Sequence, residues 1–90
     1  MQRIRASHIL VQHQYEIDDL QRKLKDGVSF EELAQKFSLC PSSEQGGDLG
    51  FFSQGQMVEE FETAAFALAK GSVSNVVKTQ FGFHLIKRTE

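Results

Sequence analysis

The stretch RIRASHILV, Arg3 to Val11, sets the tightest limit on the architecture. A strand that covers only one side of a sheet alternates apolar and polar residues. This one is apolar at both parities, with Ile4, Ala6 and Leu10 on one and Ile9 and Val11 on the other. Such a strand must be covered on both faces, which predicts a central position in the sheet. A chain of 90 residues supplies one domain, spanning 1–90, with a single core. The covering layers therefore come from the helices that follow.

Apolar spacing predicts a first helix from about Tyr15 to Asp26, with Ile17, Leu20 and Leu24 on one face and Gly27 as its C-cap. Ser29 to Glu32, SFEE, is a capping box that opens a second helix, with Val28 and Leu33 placed as a hydrophobic staple. Leu33, Ala34 and Phe37 form its inner face, and CPSSEQGG reads as loop. A third helix is expected over Val58 to Ala69, with Glu59, Glu60 and Glu62 in its first turn and Gly71 capping its end. Its apolar stripe is Phe61, Ala64, Ala65 and Leu68. Val73 to Lys78 and Gly82 to Arg88 read as strands joined by a TQFG hairpin turn. With a short strand at Leu49 to Ser53, the order is β-α-α-β-α-β-β. That order lacks regular βαβ alternation, so the expected class is α+β with a mostly antiparallel sheet.

Residues 46–57, GGDLGFFSQGQM, hold four of the seven glycines but also Leu49, Phe51, Phe52 and Met57. One reading is a buried strand bounded by turns, and another is a loop that lines an apolar pocket. The two are compatible. Composition narrows the partners. The chain is 40% hydrophobic and 24% charged with a net charge of −2, so nothing in it points to nucleic acid or an anionic membrane surface. No apolar run reaches the length of a signal peptide or a membrane span. The single cysteine forms no internal disulfide, and an unpaired thiol fits a reducing compartment. The expectation is a cytoplasmic monomer.

Few side chains can carry chemistry: His8, His13, His84 and Cys40. His8 and His84 each lie in an apolar strand, where a lone histidine is usually a satisfied core residue. Two of them on neighbouring strands could hydrogen-bond to each other, one donating and one accepting. His13, between Gln12 and Gln14, reads as a solvated surface residue. Cys40 is a small buried apolar residue on one reading and a reactive thiol on another. A Cys-His pair raises cysteine-hydrolase chemistry, but no oxyanion loop or third orienting group is evident. A zinc site from His8, Cys40 and His84 lacks HxxxH or CxxC spacing, so no metal and no cofactor is expected.

RASHILV near the start, GGDLGFFSQGQMVEEFETAAFAL in the middle and VVKTQFGFHLIK at the end resemble the three signature blocks of the parvulin family of peptidyl-prolyl cis/trans isomerases. The resemblance runs through nearly the whole chain in order. It implies a four-stranded, mostly antiparallel sheet surrounded by helices, with an active site on one face. By that resemblance His8 and His84 are paired beneath the site, and Cys40 stands where relatives hold cysteine or aspartate. Leu49, Met57 and Phe61 match the residues that receive the proline ring. Gln56 and Thr79 match polar residues at the rim and in the histidine network. Phe81 occupies a variable position facing the residue before proline. The implied function is rotation about X-Pro bonds in flexible or unfolded polypeptides, with a non-catalytic proline-peptide holdase as the alternative. The phosphate-directed branch of the family carries a basic cluster after the first strand. Here that segment is VQHQYEIDD, without Lys or Arg, which implies the phosphate-independent branch.

Overall fold

In the computed structural model, which describes residues 2–90, strand β1 (Arg3–Val11) lies inside a four-stranded sheet. The remaining strands are β2 (Asp48–Ser53), β3 (Val77–Thr79) and β4 (Gly82–Arg88), in the order β2-β1-β4-β3. Every pairing is antiparallel. Helices α1 (Gln14–Lys25) and α2 (Phe30–Phe37) follow β1, and α3 (Glu59–Ala67) separates β2 from β3.

The two apolar parities of β1 serve two cores. Ile9 and Val11 join Leu85 of β4 against Ile17 and Leu20 of α1 and Phe30, Leu33 and Ala34 of α2. Ile4 and Ala6 join Ile86 and Phe52 against Phe61 and Ala65 of α3. A strand buried on both faces reads as near-continuous apolar sequence for this reason. His8 and Leu10 share the parity of Ile4 and Ala6, so they belong to the α3 side.

The helix ends follow local chemistry. At the end of α1, Gly27 N–H donates to Leu24 O and Val28 N–H to Lys23 O, both at 3.1 Å, the paired bonds of a Schellman motif. Ser29 Oγ accepts from Glu32 N–H at 3.1 Å to start α2, while the Glu32 carboxylate pairs forward with Lys36 at 3.2 Å. At α1, His13 N–H donates to Glu16 Oε1 at 3.1 Å.

Three expectations are corrected. Pro41–Gln45, expected as loop, is a short 3₁₀ helix with Pro41 at its first turn, where a missing N–H costs nothing. Helix α3 ends at Ala67 because Leu68 turns extended, and Gly71 does not cap it; its N–H donates to Arg88 O at 2.7 Å. The strand expected over Val73–Lys78 is reduced to Val77–Thr79 plus a single bridge from Val73 to Lys87. The interruption lies at Ser74, whose hydroxyl accepts the Ile86 N–H at 3.0 Å in place of a ladder carbonyl.

Candidate active site

β2 carries Leu49 to the site through a bulge. Between Arg5 and Ser7 the β1–β2 register shifts, and Gly50 sits there at φ 73°. Asp48 Oδ1 accepts the Gly50 N–H at 2.9 Å. The same carboxylate takes the Arg5 guanidinium through both oxygens, Nε to Oδ1 at 3.1 Å, which holds its pKa below the ordinary carboxylate value. The extra residue resets the alternation. Leu49 and Phe52, three apart, both pack on the α3-side core, and Phe51 is left half exposed with the Arg3 and Arg5 guanidinium carbons 5.2 and 5.8 Å from its ring centre.

His8 and His84 meet in the interior at 6% and 3% exposure, with Nδ1 to Nδ1 at 3.0 Å. His84 Nε2 lies 2.7 Å from Thr79 Oγ1, which also accepts the Phe81 N–H at 3.1 Å. Two proton orders satisfy this chain. In one, the Thr79 hydroxyl donates to His84 Nε2 and His84 Nδ1–H donates to His8. In the other, both bonds run in reverse. Each order leaves both rings neutral. Burial, with a smaller contribution from His84, lowers the His8 pKa from 6.5 to about 4, and burial lowers that of His84. His8 Nε2 is buried without a protein partner.

Phe61 of α3 stands edge-on to both imidazoles, with ring centres 5.4 Å from His8 and 5.5 Å from His84 at interplanar angles of 82° and 80°. Above it opens a cavity of about 500 Å³, lined by the two histidines, Cys40, Leu49, Gln56, Met57, Phe61 and Phe81 among others. The sequence-derived candidates are thus brought to one concavity, with Thr79 behind it, bonded to His84 but not on the wall. Gln56 Oε1 accepts the Ser53 N–H at 2.7 Å, which leaves the amide nitrogen to the cavity rim. His13, read as a surface residue, is exposed and stacks on Tyr15 at a ring separation of 5.1 Å. Among the described residues no group of three or more His, Cys, Asp or Glu side chains is gathered closely enough to hold a metal ion.

Sequence reasoning missed Leu10, Leu39, Pro41 and Val58 on the same wall. It also missed Ser38. Beyond Ser7, β1 loses β2 as a neighbour, and the segment before Cys40 takes its place: Leu39 N–H donates to Leu10 O at 2.8 Å and Leu10 N–H to Ser38 Oγ at 3.0 Å. Leu39, an apolar residue in a turn-rich stretch, carried the same signal as Leu49.

Residues 8–90 match the rotamase family model, a PPIC-type PPIase domain. The chain is 52% identical over 89 residues to foldase protein PrsA of Bacillus subtilis, covering 98% of this chain and 30% of that protein. Its fold matches the crystal structure of PrsA from Bacillus subtilis with a TM-score of 0.95, across 98% of this chain and 35% of the other. It matches the solution structure of NmPin, the parvulin of Nitrosopumilus maritimus, with a TM-score of 0.89 at 44% identity, across 100% of this chain and 98% of NmPin. The chain therefore spans about 30% of the length of its PrsA relative and nearly all of NmPin. With its family match from residue 8 to residue 90 and its end-to-end likeness to a parvulin, the chain belongs to the parvulin, or PPIC-type, family of peptidyl-prolyl isomerase domains.

Proposed function

We propose that this domain is a peptidyl-prolyl cis/trans isomerase that assists folding and acts on unphosphorylated X-Pro segments. The observation that carries the reading is the cavity: an apolar wall of Leu49, Met57 and Phe61 over a buried, neutral histidine pair, with no Lys or Arg among its lining residues. The names of the relatives, a foldase and a parvulin, support the same activity.

Rotation about a peptide bond faces a barrier of about 18–20 kcal/mol, which is resonance energy, and X-Pro exchange without catalysis takes tens to hundreds of seconds. No substrate bond need break. The enzyme has to bind the twisted amide better than either planar form. Twisting removes the charge-separated resonance form, so a dry apolar site favours the twisted state over the more dipolar planar ones. The three apolar side chains hold the proline ring while the preceding carbonyl turns. Cys40 borders the space through which that carbonyl moves and supplies a weakly polar wall, and the Gln56 amide nitrogen supplies a donor at the rim. Thr79 is a positioning residue that acts through His84. Neutral imidazoles matter here, since a cation beneath the ring would draw water into the cavity. The cavity is complete within one chain, which supports action as a monomer.

The absence of cations on the wall supports phosphate independence, because a phosphate dianion needs Arg or Lys partners. Exchange spectroscopy on Leu-Pro, Phe-Pro, Glu-Pro and phosphoserine-Pro peptides tests the reading. Catalysed exchange is expected for Leu-Pro and Phe-Pro. A strong preference for the phosphorylated peptide overturns phosphate independence. Binding with no acceleration of exchange on any peptide overturns the isomerase reading in favour of a holdase.

A further inference from the structure

Phe81 lines the cavity yet is 55% exposed, so side-chain packing does little to fix it and its backbone must. Thr79 pairs with Gly82, which leaves Gln80 and Phe81 as a two-residue hairpin loop between β3 and β4. Such loops favour turns with positive φ at the first loop residue or at both, because that backbone matches the twist of the strands. Neither Gln80 nor Phe81 has a positive φ; in this hairpin only Gly82 does, at 142°. The loop is therefore not held by a turn type suited to its length. Side chains hold it instead. Phe81 N–H donates to Thr79 Oγ1 at 3.1 Å, and the Phe81 carbonyl accepts from Gln12 Nε2 at 3.3 Å. Strand register puts Gln12 within reach. The β1–β4 ladder runs to the pair Val11–Phe83, and a Cβ added at Gly82 would lie 2.5 Å from Val11 O and 3.5 Å from Gln12 Nε2. Gln12 itself is exposed and is not on the cavity wall.

We infer that Gln12 is a positioning residue for the isomerase reaction: its amide, by donating to the Phe81 carbonyl, sets where Phe81 stands on the cavity wall. The inference rests on the isomerase reading above. The two bonds divide the work. Thr79 takes the N–H of Phe81 from inside the hairpin, with a hydroxyl already committed to His84. Gln12 takes the carbonyl of Phe81 from outside, from the end of the central strand. With both bonds made, the peptide groups on either side of the Phe81 side chain are fixed. Without Gln12 the carbonyl turns to water and the loop swings about Thr79. Phe81 walls the cavity beside the bound peptide and does not hold the rotating amide. Its displacement therefore weakens binding of planar and twisted peptide alike, which raises KM and leaves kcat unchanged.

The test measures kcat and KM on an uncharged Phe-Pro peptide for the wild-type chain, Gln12→Glu, Gln12→Leu and Gln12→Lys. Glu has the length of Gln but sets a carboxylate oxygen against the Phe81 carbonyl. Leu offers no donor, and Lys restores one. At an exposed position all three should fold with little change in stability, which thermal melts verify. Gln12→Glu and Gln12→Leu should raise KM by about 3- to 10-fold, the range for loss of one hydrogen bond, with kcat unchanged. Gln12→Lys should return KM to near the wild-type value, a rescue that a merely structural role of the glutamine stem would not produce. A wild-type KM in Gln12→Glu and Gln12→Leu, with the wild type active, overturns the role of Gln12 and leaves the isomerase reading intact. Gln12→Lys as impaired as Gln12→Leu overturns it as well, because the donor is then not what matters. A wild type inactive on the peptide overturns the isomerase reading itself.

Discussion

Phe61 has two roles that are hard to separate by inspection. At 3% exposure it fills the α3-side core, and its ring also stands on His8 and His84 while walling the cavity. Phe61→Ala leaves a void beneath the proposed ring site and is expected to destabilise the fold by roughly 3–5 kcal/mol, measured by urea unfolding. Phe61→Leu keeps most of the volume and should fold, yet lose much of kcat/KM because the flat surface that receives the ring is gone. Full activity in folded Phe61→Leu would overturn the assignment of Phe61 to the ring. The residue types of the site were legible in the sequence: two histidines and a cysteine in apolar settings, and a methionine four positions before a phenylalanine. The Nδ1–Nδ1 contact at 3.0 Å was legible only as a possibility, because residues 76 positions apart meet through strand register.

The entry to β2 shows why two nearby glycines, one just before the strand and one inside it, differ. Gly47 sits at φ 86°, accepts the His8 N–H on its carbonyl at 2.9 Å, and would bring an added Cβ to 2.4 Å from His8 O and 3.0 Å from Ala34 Cβ. Gly50 also has a positive φ, 73°, but an added Cβ there meets nothing within 4 Å. Gly50→Ala should therefore cost only backbone strain, about 1–2 kcal/mol. Gly47→Ala adds a clash with the strand that carries His8, so it should cost clearly more and shift the His8 and His84 resonances. Thermal melts and amide spectra of the two variants check this, and equal destabilisation would show that the close approach at Gly47 carries no weight. The end of α1 at Gly27 and the start of α2 at Ser29 were readable in advance because those caps lie within a few residues of the groups they satisfy, whereas Glu32 turns to Lys36 instead of closing the expected capping box and Gly71 bonds to Arg88 instead of capping α3. The 3₁₀ turn and the truncated β3 were not. Ser74 meets Ile86 with its own N–H and with its hydroxyl, which takes the Ile86 N–H in place of a ladder carbonyl, and the intrinsic preference of residues 73–78 for strand does not encode that exchange.

Across the molecule, the buried histidine pair couples folding to pH. His8 is held at about 4 and His84 is also lowered, both chiefly by burial, against an unfolded value of 6.5. Between those values the unfolded chain binds more protons than the folded one. Stability is thus complete above about pH 6.5 and falls as the pH drops, by up to roughly 3 kcal/mol from His8 once the pH reaches its folded pKa. The Asp48–Arg5 pair, whose carboxyl is held low, is lost only in more acid solution. The expected outcome is a urea midpoint that declines from pH 7.5 to 4.5, with a shallower decline in His8→Asn. A flat midpoint in the wild type would contradict the burial of neutral imidazoles. What the sequence determined by itself was the central strand, the three helices, the α+β class and the set of reactive side chains, since each follows from periodicity, caps or composition over short windows. Tertiary structure alone decided the strand order, the bulge that turns Leu49 toward the cavity, the tie of Ser38 and Leu39 to Leu10 and the place of Leu39 on the cavity wall. Those features depend on which backbone groups remain unpaired after the sheet forms, and segments distant in the chain satisfy them only when packed together.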